Sequence, residues 1–141
     1  MKKMMLIGES LVGKSTLIRE LSGDTAYTSH RAMAVEYCGQ FINTPGEFLE
    51  NRRFYNALIT SSADCDILAL VQDATRKSSL FPPLFASMFN RRVIGIISKV
   101  DAPGANTQRA QIFLQHAGIK ETVLTSCKTK EGFNTLQQML V

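Results

Sequence analysis

Short apolar runs alternate along the chain with longer amphipathic stretches. Residues 4–8, 66–73, 92–99 and 121–126 are runs of strand length in which neighbouring positions are both apolar, as expected of strands buried on both faces. Residues 14–22, 52–63, 82–90, 105–117 and 131–140 carry their apolar positions at helical spacing. Strand and helix alternating at this interval predict right-handed crossovers and parallel pairing. The rhythm breaks at 33–46, MAVEYCGQFINTPG, where extended runs at 33–37 and 40–43 are separated only by Cys38-Gly39. A connection that short makes a hairpin, so one strand must run antiparallel. The fold class expected is α/β in three layers, a mainly parallel sheet of about six strands with one antiparallel strand and helices on both faces.

Residues 23–32, GDTAYTSHRA, combine turn formers and hydroxyl residues without periodicity and predict a mobile loop. Pro45-Gly46, Pro82-Pro83 and Pro103-Gly104 punctuate element ends. There is no repeat and no internal boundary, and 141 residues with 45% apolar and 20% charged content suit one domain over 1–141. The formal net charge of +4 is spread over separate pairs, Lys2-Lys3, Arg52-Arg53, Arg76-Lys77 and Arg91-Arg92. Scattered pairs read as solvated faces, which argues against a nucleic-acid partner. Cys38, Cys65 and Cys127 lack the close spacing of a zinc site or redox dithiol and suit buried thiols in a reducing compartment. The opening MKKMMLIGES is too short in its apolar run for the ~7–15 residues of a secretory leader. No run approaches the ~18 apolar residues of a membrane span, so a cytoplasmic protein without a span is expected.

Within this pattern the first strand runs into GESLVGKS, residues 8–15, and then into a helix. This is G-x-x-x-x-G-K-[ST] in the strand–loop–helix context the motif requires. Glycines allow backbone N–H groups to turn inward around a phosphate, and the following helix adds its positive end. Lys14 would reach the β and γ phosphates and Ser15 would ligate Mg²⁺. Gly8, Gly13, Lys14, Ser15 and Thr16 are the candidate nucleotide-binding residues here, with Lys14 also a candidate catalytic residue. The bland alternative is a glycine-rich turn with a chance lysine.

Three further stretches fall at strand ends. SKVD, 98–101, follows the third buried run, where ligands bind in open α/β folds. Asp101 could accept from N1–H and the exocyclic amine of guanine, whereas adenine presents an acceptor at N1 and leaves the carboxylate unmatched. Lys99 would lay its aliphatic stem along the purine. NTPGE, 43–47, closes the hairpin, which would put Asn43 by the Mg²⁺ ion and the Gly46 amide by the γ phosphate, a contact of the kind that orders a switch loop. Ser126, Cys127 and Lys128 could bring backbone amides near the purine oxygen. Taken singly, S-K-x-D, a Pro-Gly turn and S-C-K are each compatible with ordinary strand ends.

The order phosphate loop, hydroxyl-rich loop, hairpin ending in x-T-P-G, S-K-x-D and S-x-K resembles the Ras-like, translation-factor-related small GTPases over nearly the whole chain. More narrowly, residues 33–75 resemble the ethanolamine- and propanediol-utilisation family of EutP and PduV, whose members show AVEF, DTPGEY, RWYHALITT and VISKTD at matching places. The resemblance implies a P-loop protein that binds GTP or GDP with Mg²⁺ and works with bacterial microcompartment shell or enzyme proteins. Some members have been assigned an acetate kinase role, which implies phosphotransfer from ATP or GTP as the alternative to a slow GTPase. A non-catalytic docking protein is a third reading, with Phe48, Phe54 and Tyr55 as its candidate aromatics.

The departures from the pattern point one way. Asn43 stands where the family has Asp, Ser98 where GTPases have Asn, a smaller hydroxyl that can still brace the loop, and Ala32 or Met33 where a Mg²⁺-closing Thr is expected, with Thr25 or Thr28 as possible substitutes. Glu47 follows x-T-P-G in place of Gln and is the second candidate catalytic residue, although a carboxylate beside a γ phosphate is repelled by it. Binding should therefore survive better than hydrolysis, which is slow in Ras-like proteins lacking a supplied arginine. Arg31 and Arg52 are candidate arginines in cis, and His30, Arg31 and Arg52 are the cations available to an acceptor carboxylate.

Overall fold

The computed structural model describes residues 2–10, 12–23 and 34–141. Apart from Gly23, the predicted loop at 23–32 lies outside them, as do Thr25, Thr28, His30, Arg31, Ala32 and Met33. The elements are β1 Met4–Ile7, α1 Lys14–Ser22, β2 Glu36–Cys38, β3 Phe41–Asn43, α2 Glu47–Glu50, α3 Tyr55–Ser62, β4 Ile67–Asp73, β5 Arg92–Ser98, α4 Thr107–His116, β6 Thr122–Leu124 and α5 Phe133–Met139. The strands form one sheet in the order β2-β3-β1-β4-β5-β6. Among the described strands only β2 and β3 pair antiparallel, and the other neighbours are parallel, as the hydrophobic pattern predicts.

Both residue parities of the strands are apolar because helices cover both faces. Met4 and Leu6 of β1, Ile67 and Ala69 of β4 and Ile94 and Ile96 of β5 pack with Leu17, Ile18 and Leu21 of α1 and with Phe133 and Leu136 of α5. Met5, Ile7, Leu68, Leu70 and Ile97 face the other way, onto Leu49, Leu58, Ala110 and Leu114 of α2, α3 and α4. Side chains alternate across a strand, so each parity meets its own helical layer, and each fully buried leucine contributes roughly 1.5–3 kcal/mol. Parallel pairing also brings the carboxyl ends of β1, β3, β4, β5 and β6 to one edge. The chain reverses direction across the sheet at β1, which opens a crevice at that edge.

Two helix expectations change. Over 82–90 there is only a 3₁₀ turn at Phe85–Met88. Pro82 and Pro83 supply no N–H, and Leu84 sits at φ 59°, outside the right-handed helix. Phe81, Phe85 and Phe89 have helical spacing for another reason: they form a buried aromatic row, with ring centroids 5.7 and 5.4 Å apart. The 52–63 helix is split into a 3₁₀ turn at Arg52–Phe54 and α3, preceded by the unforeseen α2. Asn51 causes the break, because its extended backbone interrupts the helix while its side chain accepts from the Arg53 amide at 3.2 Å. Phe48 stacks on Phe54 at 5.0 Å and Tyr55 meets Phe85 edge-on at 5.3 Å, so the candidate docking aromatics are packed and half-buried.

Candidate functional site

The loop from Gly8 to Ser15 joins β1 to α1 at the carboxyl edge of the sheet. Gly13 adopts φ 101°, a conformation that favours glycine, and α1 begins at the next residue. The first-turn amides of α1 have no partners within the helix, so a positive helix end opens onto the loop. Lys14 folds back along the loop, its ammonium donating to the carbonyls of Gly8 at 2.7 Å and Glu9 at 3.0 Å. Burial pulls its pKa down to about 8, against the opposing fields of Glu50 and Glu9. Burial likewise pushes the Glu9 carboxyl above its usual range, and the Arg76 guanidinium, 3.0 Å away, works against that shift.

Three neighbouring strands brace this loop. From β5, the Ser98 hydroxyl donates to the Val12 carbonyl at 2.8 Å, the loop-holding role that a longer Asn would serve. From the end of β3, Thr44 donates to the Leu6 carbonyl at 2.8 Å, and the Asn43 amide donates to the Ser15 hydroxyl at 3.1 Å. Gly46 lies against Ser10, where a Cβ would fall 2.3 Å from the Ser10 nitrogen, so only glycine permits the approach. From the end of β4, Arg76 donates to the Ser10 carbonyl at 3.2 Å.

Beside the loop is a cleft of about 300 Å³, walled by Val12, Gly13 and Thr16 on one side and by Lys99, Asp101 and Cys127 on the other. Lys128 also lines it. Lys99 leaves β5 at φ 59° and its ammonium pairs with the Asp73 carboxylate at 3.0 Å. Burial opposes ionisation of Asp73, but hydrogen bonds from the Thr75 hydroxyl and amide and the Lys99 ammonium outweigh it and hold the carboxyl below its usual range. Asp101 is exposed, and the Ser126 hydroxyl donating to it at 2.6 Å holds its carboxyl low. The expected amides of 126–128 are partly engaged elsewhere: Ser126 donates to the Glu131 carbonyl at 3.3 Å and Lys128 to the Ser126 hydroxyl at 3.2 Å.

The structure thus gathers Gly13, Thr16, Lys99, Asp101, Cys127 and Lys128 at the cleft, with Gly8, Lys14, Ser15, Asn43 and Gly46 along the adjoining loop. It does not bring Glu47 to that loop. Glu47 is exposed at the start of α2, and it is Glu50, one turn later, that accepts from the Ser10 amide at 3.0 Å. Arg52 is exposed beside Tyr55 and Pro82 and does not line the cleft. Of the cysteines, only Cys65 is fully buried; Cys38 and Cys127 are half-buried, the latter because it forms part of the cleft wall.

As a metal site, the loop offers the Ser15 hydroxyl and the Asn43 side chain, both neutral. Among the described residues no group of three or more His, Cys, Asp or Glu could hold an ion. That donor set fits Mg²⁺ arriving with phosphates, which keeps most of its water and phosphate ligands, and not a resident ion in a protein cage.

The full length of the chain, residues 1–141, matches the PduV-EutP family, described as ethanolamine utilisation - propanediol utilisation. The chain belongs to this family. It is 37% identical over 139 residues to the propanediol utilization protein PduV of Citrobacter freundii, covering 96% of this chain and 91% of that one. It is 36% identical over 124 residues to an Escherichia coli protein named "Probable acetate kinase EutP", covering 86% and 77%. In fold, this PduV-EutP chain matches Era in complex with MgGDPNP and a segment of 16S ribosomal RNA, at TM-score 0.67 and 20% identity. It also matches an Aquifex aeolicus Era bound to GDP and aluminium fluoride, at TM-score 0.66 and 19% identity. These alignments cover 98% and 99% of the PduV-EutP chain but 55% and 56% of the Era chains, and they establish a P-loop GTPase fold. No helix among the described residues is long and apolar enough to cross a membrane.

Sequence reasoning missed Glu50, Arg76 and Asp73. Asp73 ends β4 and Arg76 lies just beyond it, and the carboxyl end of a central parallel strand is itself a signal for ligand proximity. Arg76 was masked by its membership of a basic pair. Glu50 carried no signal, because its reach to Ser10 depends on α2 being separated from α3.

Proposed function

We infer that this protein binds guanine nucleotides with Mg²⁺ and hydrolyses GTP slowly, as one nucleotide-binding domain over 1–141 serving ethanolamine or propanediol utilisation. The observation carrying this reading is the cleft in which Asp101, held by Ser126, stands across from the phosphate loop. An ionised carboxylate is matched by the adjacent N1–H and amino group of guanine and left unmatched by adenine. Lys99 covers the purine plane, and Gly13 and Thr16 lead from the base to the phosphates. Lys14, the loop amides and the α1 terminus neutralise the phosphates, while Ser15 and Asn43 hold Mg²⁺ brought by them; the ion supplies charge neutralisation. Hydrolysis is slow because Asn43 gives the ion no carboxylate and Glu47 stands away from the loop as a base. The family suggests a cytoplasmic setting beside a microcompartment, with shell or enzyme proteins as partners.

Calorimetric titration with GDP, GTP, ADP and ATP in Mg²⁺ tests this reading. Guanine nucleotides should bind roughly 10- to 100-fold more tightly, as hydrogen bonds to a charged carboxylate worth about 1.5–3 kcal/mol imply. Equal affinities for GDP and ADP would remove it. The names of the Escherichia coli and Salmonella relatives favour a second reading, acetate kinase. Arg76, at the loop's mouth, is then the cation for the acceptor carboxylate. Acetyl phosphate trapped as its hydroxamate, above a Lys14→Ala control, would establish that activity, and its absence with either ATP or GTP as donor would exclude it.

A further inference from the structure

The phosphate loop already holds an anion of the protein's own. The Glu50 carboxylate accepts from the backbone amide of Ser10, the third residue of the loop, at 3.0 Å. The contact is long-range in sequence but short in space because Gly46 lies directly on Ser10 and Glu50 closes the single turn that begins there, its amide donating to the Gly46 carbonyl at 3.0 Å. Glu50 is also the charge that Lys14 feels most strongly. A carboxylate bonded to a loop amide and facing the loop lysine has the surroundings that the motif provides for a phosphate oxygen.

Which phosphate it imitates follows from direction along the loop. The cleft that would take the nucleoside touches Val12, Gly13 and Thr16, at the α1 end. Ser10 lies at the opposite end, against Gly46 and Arg76. A nucleotide with its base in the cleft and its chain running along the loop brings its outermost phosphate to Ser10. The Ser10 hydroxyl is buried with no hydrogen-bond partner among the described residues, which suits a donor arranged for an acceptor that arrives from outside. Glu50 itself is exposed, so its side chain can swing off Ser10 while Leu49 of the same turn stays in the core.

We propose that Glu50 occupies the place of the terminal phosphate and thereby sets the preference of this site for the diphosphate over the triphosphate. This rests on the nucleotide-binding reading above. A diphosphate reaches Lys14 and leaves the Ser10–Glu50 bond intact. A triphosphate must displace the Glu50 side chain from Ser10 and otherwise meets like-charge repulsion. Glu50 is a specificity-determining residue.

The test is titration of the full chain with GDP and with GppNHp in Mg²⁺, for the wild type, Glu50→Ala and the isosteric Glu50→Gln. Glu50→Ala should tighten GppNHp about tenfold and GDP less than about twofold, as removal of one charge-assisted competitor implies. Glu50→Gln keeps an acceptor for Ser10 but drops the charge, and should fall between. Because Glu50→Gln preserves shape, it carries the test if Glu50→Ala proves unstable. If the GDP to GppNHp ratio stays within about twofold of wild type while both bind, or if GppNHp weakens, the inference falls and the nucleotide reading stands. If neither nucleotide binds any of the three proteins, both fall.

Discussion

Replacing Ser98 by alanine removes one hydroxyl, and the structure says what that hydroxyl does. Its proton goes to the carbonyl of Val12 at 2.8 Å, joining the end of β5 to the middle of the phosphate loop. Both residues are buried, Ser98 at 7% and Val12 at 1% exposure, so water does not readily replace the lost donor. The hydrogen bond is worth about 0.5–1.5 kcal/mol net, and a buried acceptor left unmatched costs about 1–3 kcal/mol. A loss near 2 kcal/mol is therefore expected, or roughly 6–10 °C in Tm for a chain of this size. Val12 also walls the cleft, so a loosened loop must be reordered when nucleotide binds. If about 1.4 kcal/mol of that cost appears in binding, GDP affinity drops about tenfold. Urea unfolding without nucleotide measures the first quantity and GDP titration the second. A stability change under about 0.5 kcal/mol together with unchanged affinity would refute the assignment of Ser98 as the brace of the loop, since the penalty for an unmatched buried carbonyl could not then be present.

Further outcomes follow from the same geometry. With burial holding Lys14 near a pKa of about 8, GDP affinity measured in EDTA should fall by up to tenfold per pH unit above about 8, because phosphate binds the protonated form; a flat profile from pH 7 to 9.5 would contradict this. The same depressed pKa makes the unfolded chain bind more protons between about 8 and 10.5, so the nucleotide-free protein should gain stability from Lys14 as pH rises through that window, by roughly 3 kcal/mol at most. Gly46→Ala places a Cβ 2.3 Å from the Ser10 nitrogen and should cost about 1–3 kcal/mol in urea unfolding, whereas an unchanged midpoint would mean that the two loops part freely. Asp101→Asn turns one acceptor into a donor, so guanine's amino group loses its match and xanthine's 2-oxo group gains one. GDP should weaken roughly 10- to 100-fold while XDP strengthens, read by competition binding.

The six strands, their parallel sense, the antiparallel hairpin and the position of the phosphate loop were all legible in the chain, because they depend on local quantities. Apolar runs at both strand parities mean two covered faces, a two-residue connection means a hairpin, and glycines before a lysine at a helix start mean exposed amides. The same local logic failed at 82–90. There the spacing of Phe81, Phe85 and Phe89 imitated a helix, while Pro82 and Pro83 withheld the amides a helix needs and tertiary packing used the rings instead. It also failed at the carboxylates. Glu47 and Glu50 are one turn apart in a chain of uniform local pattern, and which of them meets Ser10 is decided by where Asn51 stops α2 and how closely Gly46 seats it on the loop. Ser98 bracing the loop was legible from its place in S-K-x-D, whereas Arg76 reached the loop across 66 positions of sequence. The Arg76 contact has no periodicity or spacing to betray it, since it exists only once parallel strands have aligned their carboxyl ends at a common edge.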